Sequence, residues 1–224
     1  MLGSRRGMSL AERFRAPDSY GLLLLMVLCT IVAAAAGSWT VGRVVAVVLL
    51  GGTLLFALRT SGVRRATAWL GLVLAVLAVA VGAGVVTVGN DDAQRAVVGI
   101  LAAALVLAAL LAVVRRLASH PVVSGGTILG ALCAYLLIGL LFAAIFAVVD
   151  GLGTLFSRPV ATSADYLYFS YVTLTTVGYG DLTATGALAR MLAVTEALVG
   201  QLYLVSVVAL VVGNLGRQRR PPDA

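Results

Sequence analysis

Seven consecutive residues, Thr175-Thr176-Val177-Gly178-Tyr179-Gly180-Asp181, carry the densest chemical signal in the chain. Gly178 and Gly180 lack a Cβ, so the backbone there can adopt dihedrals that other residues resist. With that freedom, successive main-chain carbonyls can be aimed at one axis. A row of carbonyl oxygens offers a cation partial negative charge in place of hydration water, without the tight grip of a carboxylate ring. The plain alternative is a glycine-rich turn with no chemistry of its own, and context decides between the two.

A row of oxygens is useful only if something holds it at a fixed width. Upstream, Thr162 or Ser163 can cap a helix, and Thr162-x-x-Asp165 has the spacing of a capping box. That helix is expected to run to about Thr175. Its body contains Tyr166, Tyr168, Phe169 and Tyr171, rings that either fill a core or form a cuff around the loop. Its C-terminal end carries partial negative charge, which favours a cation beyond it. Asp181 follows the loop directly and can serve as a hydrogen-bonded strut and a negative mouth.

Composition places these segments in a bilayer. Of 224 residues, 61% are hydrophobic and 11% charged, against about 25% charged in a soluble domain. The net charge of +7 comes from 16 basic residues, all of them arginine. They lie in short stretches between apolar runs, which suits membrane orientation and contact with anionic lipid rather than nucleic acid. Cys29 and Cys133 fall in apolar runs and read as small buried residues, not a disulfide or metal pair.

Six spans are expected, over about Tyr20 to Ala36, Val44 to Leu58, Thr67 to Val86, Ala96 to Val114, Thr127 to Val149 and Leu188 to Val212. A cleaved secretory signal is the rival for the first, but its apolar run exceeds the roughly 7–15 residues of a signal core and further spans follow. With the N-terminus inside, Arg43, Arg95, Arg158 and Arg190 fall outside and the other twelve of 16 arginines inside, in keeping with the positive-inside bias. The last span holds Glu196, Gly200 and Gln201. An acid at membrane depth is expensive and a functional candidate by default. Gly200 is either a hinge or a point of close helix packing.

The stretch TTVGYGD, residues 175–181, resembles the selectivity-filter signature of the potassium-channel superfamily, whose TVGYG loop is the known K⁺ filter. The resemblance implies that the carbonyls of Thr176, Val177, Gly178 and Tyr179 bind K⁺, with Gly180 completing the loop and Thr175, Asp181, Tyr168 and Val172 around it as support. Tyr168 stands where voltage-gated relatives carry a tryptophan that contacts the aspartate. Val172 stands where one bacterial pattern has a pore-helix glutamate, so a carboxyl-pair inactivation mechanism is in doubt. The run Glu196 to Leu204 resembles the inner helix of bacterial two-span-type ion channels, with Gly200 at the hinge position. By that register Gln201, Leu204, Val208 and Val212 line a cavity. By the same register Glu196 points behind the filter, protonated or bonded to pore-helix hydroxyls such as Thr173 or Thr175, in either a structural or a pH-sensing role.

The resemblance is specific over about Thr162 to Val212; before Ser124 it rests on span count and topology. The run Ala96 to Val114 has no charged residue, so a voltage sensor of the arginine-repeat type is not expected. The expectation is therefore an all-α membrane protein of six transmembrane helices with a re-entrant pore helix, a TVGYG loop and a tetrameric pore. Its parts are a cytosolic segment 1–19, a four-helix domain 20–116 of voltage-sensor-like layout, a cytosolic linker 117–126 with His120, a pore domain 127–212 and a short cytosolic tail 213–224. The expected function is passive, K⁺-selective conduction across the plasma (inner) membrane, by a homotetramer, with no enzymatic activity and no cofactor besides the permeant K⁺. Anionic lipids are the further partners expected, and nucleic acid is not. The alternatives are a K⁺ transporter of the pore-loop superfamily, a non-conducting sensor or accessory subunit on a pore-like fold, and a weakly selective cation channel.

Overall fold

The computed structural model describes residues 19–36, 40–60, 72–73, 76–77, 79–80, 91–118, 125–151, 153, 156–157 and 162–218. Six helices make up its described elements: α1 Ser19–Ala36, α2 Thr40–Thr60, α3 Asp91–Ala118, α4 Gly125–Asp150, α5 Ser163–Leu174 and α6 Ala187–Gln218. Strand pairing among the described residues is one isolated antiparallel bridge, Phe156 to Ala184. The fold is all-α. Helices are what an apolar chain can form in lipid, because each closes its own backbone hydrogen bonds.

Three stretches of these helices are long and apolar enough to cross a membrane: Ala96–Ala118, Gly126–Asp150 and Ala187–Leu210. The apolar stretches in α1 and α2 are shorter, Tyr20–Ala35 and Val45–Phe56. The third expected span, about Thr67 to Val86, lies largely outside the described residues. The fourth is longer than its apolar run suggests. It starts at Asp91 and extends through Arg115 and Arg116 to Ala118, because cations in a last turn complement the partial negative charge of the free carbonyls. Helix therefore continues into the expected linker, of which residues 119–124 lie outside the described part.

The ends of the bundle are held by specific contacts. The Arg116 guanidinium sits 4.3 Å from the centroid of the Tyr20 ring, and the Cys133 thiol approaches the Tyr20 carbonyl at 3.8 Å. The start of α1, the end of α3 and the early part of α4 thus lie at one end. Cys133 is buried, as expected for a small apolar residue; Cys29 is exposed, because the helical period turns it away from the buried Leu23 and Val27. At Gly99 a Cβ would meet the Val148 amide nitrogen at 3.1 Å and the Ala144 oxygen at 3.2 Å, so α3 approaches the α4 backbone closely, as small residues permit in lipid. Buried Thr30 and Thr53 donate their hydroxyls to Met26 and Leu49 carbonyls in their own helices, each at 2.8 Å, so neither leaves a polar atom bare.

The far half of α4 packs on an aromatic cluster. Phe146 is fully buried and meets Phe169 of α5 edge-on at 4.9 Å between ring centroids. Phe156 also lies edge-on to Phe169 at 4.9 Å, and Tyr166 lies 6.0 Å from Phe156. Phe169 and Tyr166 therefore fill core space here. With 12 residues, α5 is about 18 Å long at the helical rise, too short for a span, which takes about 20 residues. Phe146→Ala is expected to lower unfolding stability in detergent by about 3–5 kcal/mol, while Leu132→Ala, on an exposed face, changes it by less than about 0.5 kcal/mol; thermal or denaturant unfolding of the two variants checks this.

Candidate functional site

The start of α5 explains how the site is anchored. Thr162 is its N-cap in extended conformation. The Asp165 carboxylate accepts the Thr162 amide at 3.0 Å and the Thr162 hydroxyl at 3.1 Å. Both halves of the expected capping box are formed, and the Asp165 amide also donates to the Thr162 carbonyl at 3.1 Å. One turn on, the Tyr166 hydroxyl donates to Asp150 Oδ2 at 2.6 Å, tying α5 to the end of α4.

At its other end α5 does not simply stop. The Thr176 amide donates to the Thr173 carbonyl at 2.9 Å, and the Val177 and Gly178 amides both donate to the Val172 carbonyl, at 2.9 and 3.3 Å. Amides of the following loop thus satisfy carbonyls that a helix end leaves without partners. Thr176, Gly178 and Gly180 have positive φ, at 59°, 57° and 79°; Val177 and Tyr179 between them do not. The loop therefore alternates in hand at every residue. The Thr176, Val177 and Gly178 amides face the helix, so across planar trans peptides the Thr175, Thr176 and Val177 carbonyls point away from it. Glycine adopts such values freely, whereas Thr176, being β-branched, is strained there.

The flanking side chains are placed as follows. The Thr175 hydroxyl donates to Tyr171 of its own helix at 2.6 Å. The Thr176 hydroxyl donates to the Thr175 carbonyl at 2.7 Å and accepts Gln201 Nε2 at 3.4 Å. The Tyr168 hydroxyl donates to Asp181 Oδ1 at 2.9 Å, and its ring stacks on Tyr179 at 4° and 6.3 Å. Val177 and Tyr179 are exposed. Val172 holds the loop through its carbonyl and also lines the cavity behind it. After the loop, Ser157 and Thr183 exchange hydrogen bonds, and Arg190 donates Nε to the Ala184 carbonyl at 3.2 Å. A cavity of about 350 Å³ behind the loop is lined by Tyr168, Thr173, Gly178, Asp181, Arg190 and Val194, among others.

On α6, Gly200 is a point of close packing: a Cβ there would lie 2.6 Å from the Leu174 carbonyl oxygen. Gln201, Leu204 and Val208 share an exposed face of α6; the side chain of Val212 lies outside the described residues. Glu196 is completely buried and does point back at α5, but to Ser170 rather than Thr173 or Thr175. The Thr175 hydroxyl is committed to its own helix, and Ser170 lies on the buried stripe with Tyr166 and Leu174. That i, i+4 stripe is the signal by which the sequence alone points to Ser170. Tyr135, Gly139 and Tyr203 are further contributors without a local signature. The Tyr135 hydroxyl reaches the Leu174 carbonyl at 3.3 Å, and Tyr203 stacks on Tyr135 and donates to Ala131 at 2.6 Å.

Comparison with known proteins follows the same boundaries. Residues 130–217 match a family model described as "Ion channel". Over 69 residues the chain is 39% identical to a protein named two pore potassium channel c, from Oryza sativa subsp. japonica; the match covers 31% of this chain and 14% of that relative. Removing the cap carboxylate with Asp165→Ala is expected to cost about 0.5–2 kcal/mol, read as a lower thermal midpoint of the purified protein, with Asp165→Asn in between.

Proposed function

We propose, for a chain that belongs to the potassium-channel superfamily through its residues 130–217, that it conducts K⁺ passively and selectively through the Thr176–Tyr179 loop. The observation that carries this reading is the sidedness of the loop. With their partner amides bound to Val172, the Thr176 and Val177 carbonyls point away from α5, and the alternating φ that follows suits continuing that row, the arrangement a dehydrating K⁺ needs. The role asks for no bond making or breaking, and hence for no enzymatic activity and no cofactor.

One loop cannot surround an ion, so the reading includes a homotetramer with four loops around one axis. The exposed apolar face of α6, with Leu198, Leu202, Val205 and Val208, supplies surface for neighbouring copies and for a cavity below the loop. There Gln201 would form a polar ring under Thr176. The half-length α5 then acts as a re-entrant pore helix entering from the side where Asp150 and Asp181 lie. We place that side outside a plasma membrane and both termini inside, in keeping with the arginine distribution. The segments 20–116 and 117–126 are read as a scaffold and a cytosolic linker. Anionic lipid is a further partner for the inner arginines.

The test is cation flux through purified protein in liposomes. K⁺ flux well above Na⁺ flux, blocked by Ba²⁺ and lost in Gly178→Asp, is the expected result; equal K⁺ and Na⁺ flux would make the protein a weakly selective cation channel, and no flux a non-conducting pore-like protein. Tyr168→Phe removes one hydrogen bond to Asp181, worth about 1 kcal/mol. It is expected to speed the decay of K⁺ flux during sustained conduction by roughly 2- to 10-fold, with the K⁺ over Na⁺ preference retained.

A further inference from the structure

Behind the loop, three helices meet at one hydroxyl. Ser170 Oγ of α5 lies 2.7 Å from the Gly139 carbonyl of α4 and is also hydrogen-bonded to Glu196 Oε1 of α6. A serine hydroxyl has one proton, and a backbone carbonyl can only accept. If Ser170 gives its proton to Gly139, the proton in the second bond must come from Glu196.

The surroundings agree. Glu196 Oε2 has no hydrogen-bond partner in the structure, an expensive state for an ionised oxygen in a buried site and a tolerable one for the carbonyl oxygen of a neutral acid. Among the described residues, the titratable side chains facing Glu196 are Tyr135 from α4 and Tyr171 from α5. Both phenol protons are committed elsewhere, Tyr135 to the Leu174 carbonyl and Tyr171 to the Leu136 carbonyl at 2.8 Å. Neither α4 nor α5 contains a basic residue. On α6 the nearest, Arg190, lies six positions away, exposed, and bonded to Ala184.

We propose that Glu196 is held as the neutral acid and donates its carboxyl proton to Ser170, a positioning residue whose single proton clasps α6 to α5 and, through Ser170, to α4. Its consequence runs along α5. Two residues beyond Ser170 is Val172, whose carbonyl holds the Val177 and Gly178 amides, so the clasp fixes the helix from which the loop hangs. At Gly139 a Cβ would lie 2.5 Å from the Tyr171 ring, so α4 and α5 are already in close contact where the clasp sits. The functional part of this inference rests on the conduction reading; the protonation part does not.

The experiment has two arms. In infrared spectra of the wild-type protein in liposomes at neutral pH, where a solvated glutamate with a pKa of about 4.3 is ionised, a protonated-carboxyl stretch is expected. That band should vanish in Glu196→Gln and shift in Ser170→Ala, which leaves the acid in place. An unchanged spectrum in both variants overturns the proposal. In the flux arm, Glu196→Gln keeps an N–H donor and should conduct within about twofold of wild type, whereas Glu196→Leu and Ser170→Ala should each lose about tenfold, on the scale of one buried hydrogen bond. The double variant Glu196→Leu with Ser170→Ala should lose little more than either alone. Glu196→Gln as damaging as Glu196→Leu overturns the donor role. If the wild type itself does not conduct, the conduction reading fails, and the infrared arm still decides the protonation.

Discussion

Everything around the loop follows from one requirement of the peptide group: amides and carbonyls seek partners, and a helix end leaves carbonyls without them. Here the amides of Thr176, Val177 and Gly178 find theirs on Thr173 and Val172. These are carbonyls that the end of α5 would otherwise leave open. Helix end and loop complete each other, and across planar peptides the Thr176 and Val177 carbonyls point the other way. The arrangement concentrates strain at Thr176, the one non-glycine residue with positive φ among the described residues, between a helix it must terminate and glycines that turn without cost.

Because the loop hangs from α5, its geometry is only as good as the seat of α5. That seat is polar and made largely of backbone. Hydroxyls of Tyr171 and Ser170 reach the carbonyls of Leu136 and Gly139 in α4, Tyr135 reaches from α4 to the Leu174 carbonyl at the end of α5, and Tyr203 ties α6 to the Ala131 carbonyl of α4 in the same way. In lipid, helices gain little from burying apolar surface against each other, and close packing with hydrogen bonds takes its place. Gly139 and Gly200 belong to the same design, since each lets a neighbour approach where a methyl group would collide.

The aromatic residues of α5 divide their work by helical face. Tyr166 and Phe169 turn to the core beside Phe146 and Phe156, and Tyr171 turns to α4. Tyr168 alone among them is exposed, beside Tyr179 and Asp181. A single amphipathic turn thus serves packing on one side and the loop on the other. Of the more N-terminal helices, α1 touches both α4 and α5, and α3 packs closely on α4 at Gly99.

Much of this was legible in the chain. The two glycines of the loop, the Thr162–Asp165 box, the short helix between them and the apolar runs of α1, α2, α4 and α6 are local patterns, set by dihedral freedom, capping and hydropathy. Helix ends were less legible: α3 runs from Asp91 to Ala118 because charges suited to its termini extend it beyond its apolar stretch. What only the tertiary structure decided is pairing between elements. The partner of Glu196 is Ser170, Gly200 answers to the Leu174 carbonyl, and Val172 matters for its carbonyl, which any residue type would supply. Side-chain type is written in the sequence, but which backbone oxygen comes within 3 Å of it depends on how helices far apart in the chain settle against one another.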